Sequence, residues 1–214
     1  MPQRRPSTED LRIIQSYQPK DAEPLSADEL VCFEFIGADN LLNRSGGKWH
    51  SSALQELADL LPGLSLILDH DWDEAQKAQA LIYKAWVQKT DTAPIDLLQA
   101  AGNGNYNQMI AQSEGWITTH FDIAIRASAP LVDALRFGEV GKISLGGFDF
   151  KDIWCPLCDA SYYSDDCPHY VGSSWDGSKD PLYMPYYERK GVTDLCEASI
   201  VLCPNLPGAK VVTQ

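Results

Sequence analysis

A histidine at position 70, a serine at 144 and a glutamate at 197 are the residue types that can jointly activate a hydroxyl group. A serine hydroxyl is a weak nucleophile, so it needs a base to take its proton and a third group to orient that base. Ser144 lies in the strand-like stretch GKISLGGFDF, whose glycines leave room for a substrate backbone. The stretch lacks the G-x-S-x-G pattern of α/β-hydrolases, because Lys142 stands at the first glycine position. Ser144 is therefore either a nucleophile or an ordinary strand serine before a bend.

His70 ends the apolar stretch LSLILDH and lies between two aspartates in LDHDWD. A neighbouring carboxylate can hold a histidine ring in one tautomer, as a general base requires. Two other interpretations stay open at this point. One is a polar cluster at the end of a strand, and the other is a metal site formed by His70, Asp71 and Asp73.

Glu197 lies near the start of the apolar stretch CEASIVLCP. Alternation along a strand puts Glu197 and Ser199 on one face and Ala198 and Ile200 on the other. A carboxylate in such a strand must be exposed or paired. Glu197 is therefore either a charge that protects an edge strand or the partner of a histidine.

After residue 150 the composition changes to a segment rich in cysteine, aspartate and tyrosine. Four residues in it form the pattern C-x2-C-x8-C-x-H: Cys155, Cys158, Cys167 and His169. Three thiolates and an imidazole complete a tetrahedral site for a structural Zn²⁺ ion. Four protein ligands leave no open position for a substrate, so the ion would stabilise the loop and not catalyse. The alternative is a set of reduced thiols in a flexible insert.

The net charge of −13 argues against binding to a nucleic-acid backbone, which needs clustered lysine and arginine. No apolar run approaches the roughly 20 residues that span a bilayer, and no leader peptide is recognisable. We therefore expect no membrane partner and a reducing cytosol, in which the six cysteines are thiols or metal ligands. The three cysteines outside the cluster are expected to pack as small apolar residues: Cys32, Cys196 and Cys203.

Hydrophobic periodicity predicts an α+β domain with mostly antiparallel strands. Strands are expected over residues 31–37, 64–70, 79–88, 115–127, 141–150 and 195–204, and helices over 51–63 and 129–139. Residues 1–30 read as a loosely ordered arm, 89–107 as a loop, and 31–214 as one domain with an insert at about 151–194. The aromatic segment 175–187 is a lid, a docking surface or a loop packed on itself.

Three sequence blocks, taken in order, resemble the prohead (procapsid maturation) proteases of tailed bacteriophages, which are related in fold to the herpesvirus assemblins. The blocks are LILDHDW, GEVGKISLGGFDF and CEASIVLCPNLPGAKV, preceded by the lead-in GGKWHSSALQELADLLPG. The resemblance starts near residue 31 and covers about two thirds of the chain, leaving out residues 1–30 and 89–114. It implies a small antiparallel β-barrel wrapped by helices, with an inserted Cys/His zinc-binding loop.

The resemblance also implies a serine endopeptidase. In such an enzyme Ser144 would attack the scissile carbonyl and His70 would take the proton of the Ser144 hydroxyl. Glu197 matches the acidic position of the phage branch and would be the third group. Assemblins use a second histidine as the third group, and His120 on its polar strand face is the competitor for that role. The turn PNLPGAK is the expected source of oxyanion-hole N–H groups. The paired arginines of the assemblin pattern are missing near it, where this chain has only Lys210.

The same resemblance implies the partners and the location. The substrates would be scaffold and capsid precursor proteins, and the chain itself, inside the immature capsid in the host cytoplasm. Some of these proteases carry similar Cys/His inserts, and zinc bound here by four protein ligands would be structural. Two other classes stay open: a non-catalytic zinc-containing structural or adaptor protein of capsid assembly, and a metal-dependent hydrolase built on His70 and its aspartates.

Overall fold

The computed structural model describes residues 3–71, 80–98, 104–169, 186–201 and 203–212. Its strands, in chain order, are β1 Leu30–Asp39, β2 Gly47–Trp49, β3 Ser65–Leu68, β4 Ala80–Thr90, β5 Trp116–Arg126, β6 Lys142–Cys155, β7 Ala160–Ser161, β8 Tyr187–Val201 and β9 Lys210–Val211. Its α-helices are α1 Thr8–Ser16, α2 Ser51–Leu60, α3 Ile95–Leu98, α4 Gly104–Glu114 and α5 Pro130–Phe137. A 3₁₀ turn, Ala27–Glu29, leads into β1.

Seven of the strands close into a barrel. Their order is β8-β3-β4-β5-β1-β9-β6, and β6 pairs again with β8 to complete the ring. The short strands β2 and β7 extend β8 and β6 beyond the barrel. The α+β class and the barrel are confirmed, but β3 and β2 both run parallel to β8, so the expectation of an antiparallel barrel holds only in part.

The barrel interior is filled by the apolar side chains that alternation assigns to one face of each strand. Phe35 stacks on Phe121 with ring centroids 5.6 Å apart, and Ile143 projects into the same core. Helix α2 covers one end of this core with Leu54 and Leu57, which are fully buried. Each such side chain stabilises the fold by about 1.5–3 kcal/mol relative to an exposed one.

The N-terminal arm packs against the outside of the barrel. Helix α1 starts with a capping box in which Ser7 and Asp10 satisfy each other's backbone N–H groups. Arg4 donates to Asp10 at 2.6 Å, to Asp122 at 2.7 Å and to the Tyr83 hydroxyl at 2.6 Å. These contacts differ from the loosely ordered arm that the polar composition of residues 1–30 predicts.

Residues 89–107 are not a simple loop, because helix α3 and the start of α4 lie within them. Tyr106 and Ile110 of α4 are buried against Leu41, Leu42 and Leu97 in a separate apolar cluster. The glycines and asparagines of this stretch favour turns, but burial of its few apolar side chains outweighs that preference. The stretch therefore forms a helical layer outside the barrel.

Two further expectations can be compared with the fold. Cys32 is fully buried as expected. Cys196 and Cys203 are exposed, so the expectation that these two cysteines pack as apolar residues is wrong.

The aromatic segment 175–187 lies outside the described residues except for Tyr186 and Tyr187. Within the part of the chain that the structure describes, the helices are all too short or too polar to cross a membrane.

Candidate functional site

Strands β6 and β8 form a long antiparallel ribbon that carries two of the three candidate residues. Ser144 on β6 lies directly opposite Ser199 on β8, and Gly146 lies opposite Glu197. Directly opposed residues of an antiparallel pair project on the same face. The side chains of Ser144, Glu197 and Ser199 therefore share one face of the ribbon.

His70 reaches this face from the other side of β8. Strand β3 runs parallel to β8, and the Asp69 N–H donates to the Ile200 carbonyl at 2.9 Å where β3 ends. Asp69 and His70 then adopt left-handed backbone conformations, with φ of 50° and 59°. Such conformations are uncommon for residues other than glycine, although aspartate and histidine adopt them several-fold more often than most. The turn brings His70 Nδ1 into a hydrogen bond with Glu197 Oε1.

Glu197 is buried in the middle of the sheet. Its side chain is 5% exposed, whereas that of His70 is 42% exposed. Because β8 lies between β3 and β6, the interpretation of Glu197 as the charge of an edge strand is wrong. A buried carboxylate needs hydrogen bonds, and Glu197 receives two: one from His70 Nδ1 and one from Ser199 Oγ at 2.7 Å.

Ser144 lies beside this pair without being bonded to it. The residue is half-buried, and no hydrogen bond joins its hydroxyl to His70 in the described parts of the chain. Catalytic hydrogen bonds are often long in the absence of substrate and tighten when substrate binds. The structure thus brings His70 and Glu197 together and puts Ser144 on the adjacent strand, on the same face as the carboxylate.

His120, the competing third group, lies elsewhere on the barrel. Its Nδ1 contacts Glu34 Oε1 at 2.7 Å and its Nε2 contacts Thr118 Oγ1 at 2.8 Å. It belongs to β5, which pairs with β1 and β4, and it stacks on the Trp86 ring at 5.4 Å. His120 is therefore part of a polar cluster on the outer face of β5, and the structure does not bring it to Ser144.

A cleft of about 130 Å³ opens next to Ser144. Its walls combine apolar side chains with two asparagines and an arginine, and the lining residues are Gly37, Asn43, Trp49, Ile143, Ser144, Leu145, Phe148, Arg189, Asn205 and Leu206. The Arg189 guanidinium lies 5.1 Å from the centroids of both the Trp49 and the Tyr187 rings, and burial lowers its pKa. Ser144 is the one candidate catalytic residue among these lining residues.

The four Cys/His residues come together at the far end of the ribbon. Their ligand atoms, on Cys155, Cys158, Cys167 and His169, all lie within 4.8 Å of one another. The Cys158 and Cys167 sulfurs are 3.7 Å apart, and His169 Nδ1 is 3.4 Å from Cys155 Sγ. Tetrahedral zinc with Zn–S bonds of about 2.3 Å and Zn–N bonds of about 2.0 Å requires separations of roughly 3.8 and 3.5 Å. The cluster could hold a metal ion and is compatible with zinc.

The surroundings of the cluster act in opposite directions on two of its thiols. Burial opposes ionisation of Cys158, but hydrogen bonds from the Ala160 N–H and from neighbouring thiols lower its pKa, whereas burial raises the pKa of Cys167 to about 11. Cys155 ends β6, so the cluster is attached directly to the strand that carries Ser144. His70 and Asp71 belong to no comparable group of metal-ligating atoms among the described residues, and Asp73 lies outside them.

The turn at residues 204–209 packs against the barrel close to Ser144. The Ala209 carbonyl accepts from the Ile143 N–H at 3.1 Å, next to Ser144 in the chain. On its other side the turn lies close to Asp39. At Gly208 there is no room for a side chain, since a methyl group added there would lie 2.5 Å from Asp39 Oδ2. Asp39 is fully buried, and burial raises the pKa of its carboxyl to about 6.

The raised pKa of Asp39 predicts a pH dependence of stability. The folded state binds this proton more tightly than the unfolded chain, whose Asp pKa is about 3.9. The stabilisation is complete below that value and is lost as pH rises through about 6. Relative to wild type, Asp39→Asn should therefore gain stability as pH rises from about 4 to about 6.5, by up to about 3 kcal/mol, and the gain should stay constant above that. Urea unfolding at several pH values measures this, with the exposed Asp96→Asn as the control. An Asp39→Asn effect that is equal at all pH values would contradict the prediction.

The structure gives two residues of the site roles that the sequence analysis did not assign to them. Ser199 was assigned only to a strand face, yet it donates to Glu197. Gly146 was expected to make room for substrate, yet it makes room for Glu197: a methyl group there would lie 2.5 Å from Glu197 Oε1. The sequence feature that could have predicted the hydrogen bond between Ser199 and Glu197 is their spacing, two residues apart on one strand face.

Comparison with known proteins adds no relative: no protein-family model, curated protein or solved structure matches the chain. The site must therefore be interpreted from its own geometry.

Proposed function

We propose that this protein is a serine endopeptidase in which Ser144 is the nucleophile, His70 the general base and Glu197 the group that orients His70. The observation that carries the proposal is the hydrogen bond between His70 Nδ1 and the buried carboxylate of Glu197, beside the strand of Ser144. A carboxylate that accepts from Nδ1–H leaves Nε2 as the nitrogen that can take a proton. The resemblance to prohead proteases, given above, assigns the same three roles.

The proposed reaction follows the double-displacement course of serine proteases. Ser144 Oγ attacks the scissile carbonyl carbon while His70 Nε2 takes the hydroxyl proton. The C–N bond then breaks, and His70 returns the proton to the leaving amine. Water, deprotonated by His70, hydrolyses the resulting acyl-enzyme and regenerates Ser144. The buried Glu197 stabilises the imidazolium that forms in each step.

The edge of β6 supports binding of an extended peptide. In the described part of the chain, β6 pairs with β9 only at Lys142 and with β7 only from Trp154 onward. The Ile143 N–H points to that side, since it donates to Ala209 there. Alternation along a strand then aims the N–H and C=O of Leu145 at the same edge. A substrate strand could pair with Leu145 next to Ser144 and direct a side chain into the cleft.

The turn at residues 204–209 is the proposed source of oxyanion-hole donors. It lies beside the Ser144 strand, and the loop before β2 holds it in place. The Arg44 N–H donates to the Asn205 carbonyl at 3.1 Å, and the Arg44 side chain donates to the Pro204 carbonyl. Rigid backbone donors are what stabilisation of a tetrahedral oxyanion requires.

The biological role is proposed from the resemblance. The substrates are scaffold and capsid precursor proteins, and the protease itself, within an immature bacteriophage capsid. The Cys/His cluster holds a structural zinc ion that ties residues 156–169 to the end of β6. Zinc takes no part in the reaction, because four protein ligands fill its tetrahedral coordination.

A second candidate is a non-catalytic adaptor of capsid assembly whose zinc segment binds partners. The observation that favours it is the Cys/His cluster, whose geometry is independent of Ser144 and His70. In that case loss of Ser144 leaves the function intact, whereas loss of Cys155 or Cys158 removes it.

Reaction with a fluorophosphonate tests the nucleophile without knowledge of the substrate. Ser144 Oγ should displace fluoride and gain the phosphonyl group, which intact mass and peptide mapping would locate on Ser144. We expect one label per chain in wild type and none in Ser144→Ala, while Ser164→Ala, in the Cys/His segment, keeps the label. Labelling at rates equal to those of free serine, or at other serines, would contradict the assignment of Ser144 as nucleophile.

A further inference from the structure

Ser199 occupies a place between the candidate residues that the proposed mechanism has not yet used. It lies opposite Ser144 on the adjacent strand and opposite Ile67 on the other side, and it is completely buried. Its hydroxyl donates to Glu197 Oε2 at 2.7 Å. A buried hydroxyl at such a position must find a partner, and this one has the carboxylate that contacts His70.

The two oxygens of Glu197 have separate partners. Oε2 accepts from Ser199, and Oε1 accepts from His70 Nδ1. With Oε2 held by Ser199, rotation of the carboxylate about its terminal bond would break a charge-assisted hydrogen bond. Ser199 therefore fixes which oxygen faces His70 and at what angle.

Gly146 restricts the carboxylate from the opposite strand. A methyl group at this position would lie 2.5 Å from Glu197 Oε1 and 3.3 Å from its Cγ and Cδ. Contacts under 3 Å between non-bonded heavy atoms of this kind do not occur without displacement, so a larger residue here must push Glu197 away from its present position. Glycine at 146 and serine at 199 thus hold the same carboxylate from two sides.

We propose that Ser199 is a positioning residue of the active site: it orients the Glu197 carboxylate, which in turn fixes the His70 tautomer, with Gly146 providing the space. This inference rests on the proposed serine-protease function. It adds a fourth side chain to the machinery, one that touches neither the substrate nor the reacting atoms.

Proton NMR in water tests the arrangement independently of activity. A proton between an imidazole Nδ1 and a buried carboxylate resonates downfield of the backbone amides, and it should disappear in His70→Gln, which assigns it. We expect Ser199→Ala to shift or broaden this resonance and Ser199→Thr, which keeps the hydroxyl, to restore it. Ser144→Ala should retain it. An unchanged resonance in Ser199→Ala would overturn the proposal.

Kinetics on a cleaved peptide provides the second readout. Loss of the Ser199 hydrogen bond should lower kcat roughly 10- to 100-fold with little change in KM, and Ser199→Thr should recover most of it. Gly146→Ala should lower kcat as well, because it displaces the same carboxylate. A Ser199→Ala enzyme with full kcat, or one in which only KM changes, would overturn the positioning role. If Ser144→Ala retained wild-type cleavage, the protease function would fail, but the NMR experiment would still decide the role of Ser199.

Discussion

The Ser144→Ala protein is expected to leave scaffold and capsid precursor proteins uncut over hours in which the wild type trims them or itself. Removal of a nucleophile from such a triad typically lowers the rate by a factor of about 10⁴ or more. Intact mass spectrometry of both proteins, incubated with the cognate scaffold, measures the loss and locates the cut sites. Ser144 is half-buried on a strand face, so the alanine variant should keep the thermal stability of the wild type.

The matched control is Ser161→Ala, which alters a hydroxyl in the Cys/His segment on β7 and should cut like the wild type. Equal behaviour of wild type and Ser144→Ala, whether both cut or both stay intact, and in capsid-like assemblies as well, would show that Ser144 is not a nucleophile. The adaptor function would then be favoured. Cleavage that a chelator abolishes and Ser144→Ala spares would instead favour a metal-dependent hydrolase.

Loss of the metal is expected to have the largest effect on stability. We expect about one zinc per chain in the purified protein and none in Cys155→Ala. At a free zinc concentration about 1,000 times Kd, binding to the folded state alone contributes about 4 kcal/mol, which for a chain of this size shifts Tm by about 10 °C. Metal analysis and thermal unfolding, with and without a chelator, measure both quantities.

The control for the metal experiment is Cys203→Ser, because Cys203 is exposed and lies outside the cluster. It should bind zinc and unfold like the wild type, and so should Ser144→Ala. A wild-type protein that contains no metal, and whose Tm a chelator and Cys155→Ala leave unchanged, would identify the four residues as reduced thiols.

The strands were predictable because their alternation is strong. The apolar face of the stretch around Ile143 and that of the stretch around Ala198 both point into the core as expected. Pairing partners were not predictable, since β3 runs parallel to β8 and the sequence holds no local signal for that choice. Alternation also put Glu197 and Ser199 on one face, but only the position of β8 between two strands shows that Glu197 is buried.

The helices in residues 89–114 were missed for a different physical reason. Local preferences of glycine and asparagine favour turns there, whereas the helix depends on burying Tyr106 and Ile110 against residues far away in the chain. Similarly, Lys48 reads as a surface charge, yet it is buried and donates to Glu114 at 2.6 Å. Long-range pairs of this kind leave no pattern in a single sequence. The Cys/His cluster was found because its spacing is local.

The order of strands in the barrel has a consequence for when the protein can act. Strand β8 is inserted between β3 and β6, both of which precede it in the chain, and it supplies the carboxylate that contacts His70. During synthesis the ribosome releases His70 and Ser144 long before Glu197, and the barrel stays open until β8 joins it. Closure by a late, non-local strand is a slow step in folding. For the protease that we propose, a newborn chain therefore holds its histidine and serine without a completed triad, and it should cut no neighbouring precursor until its own barrel has closed.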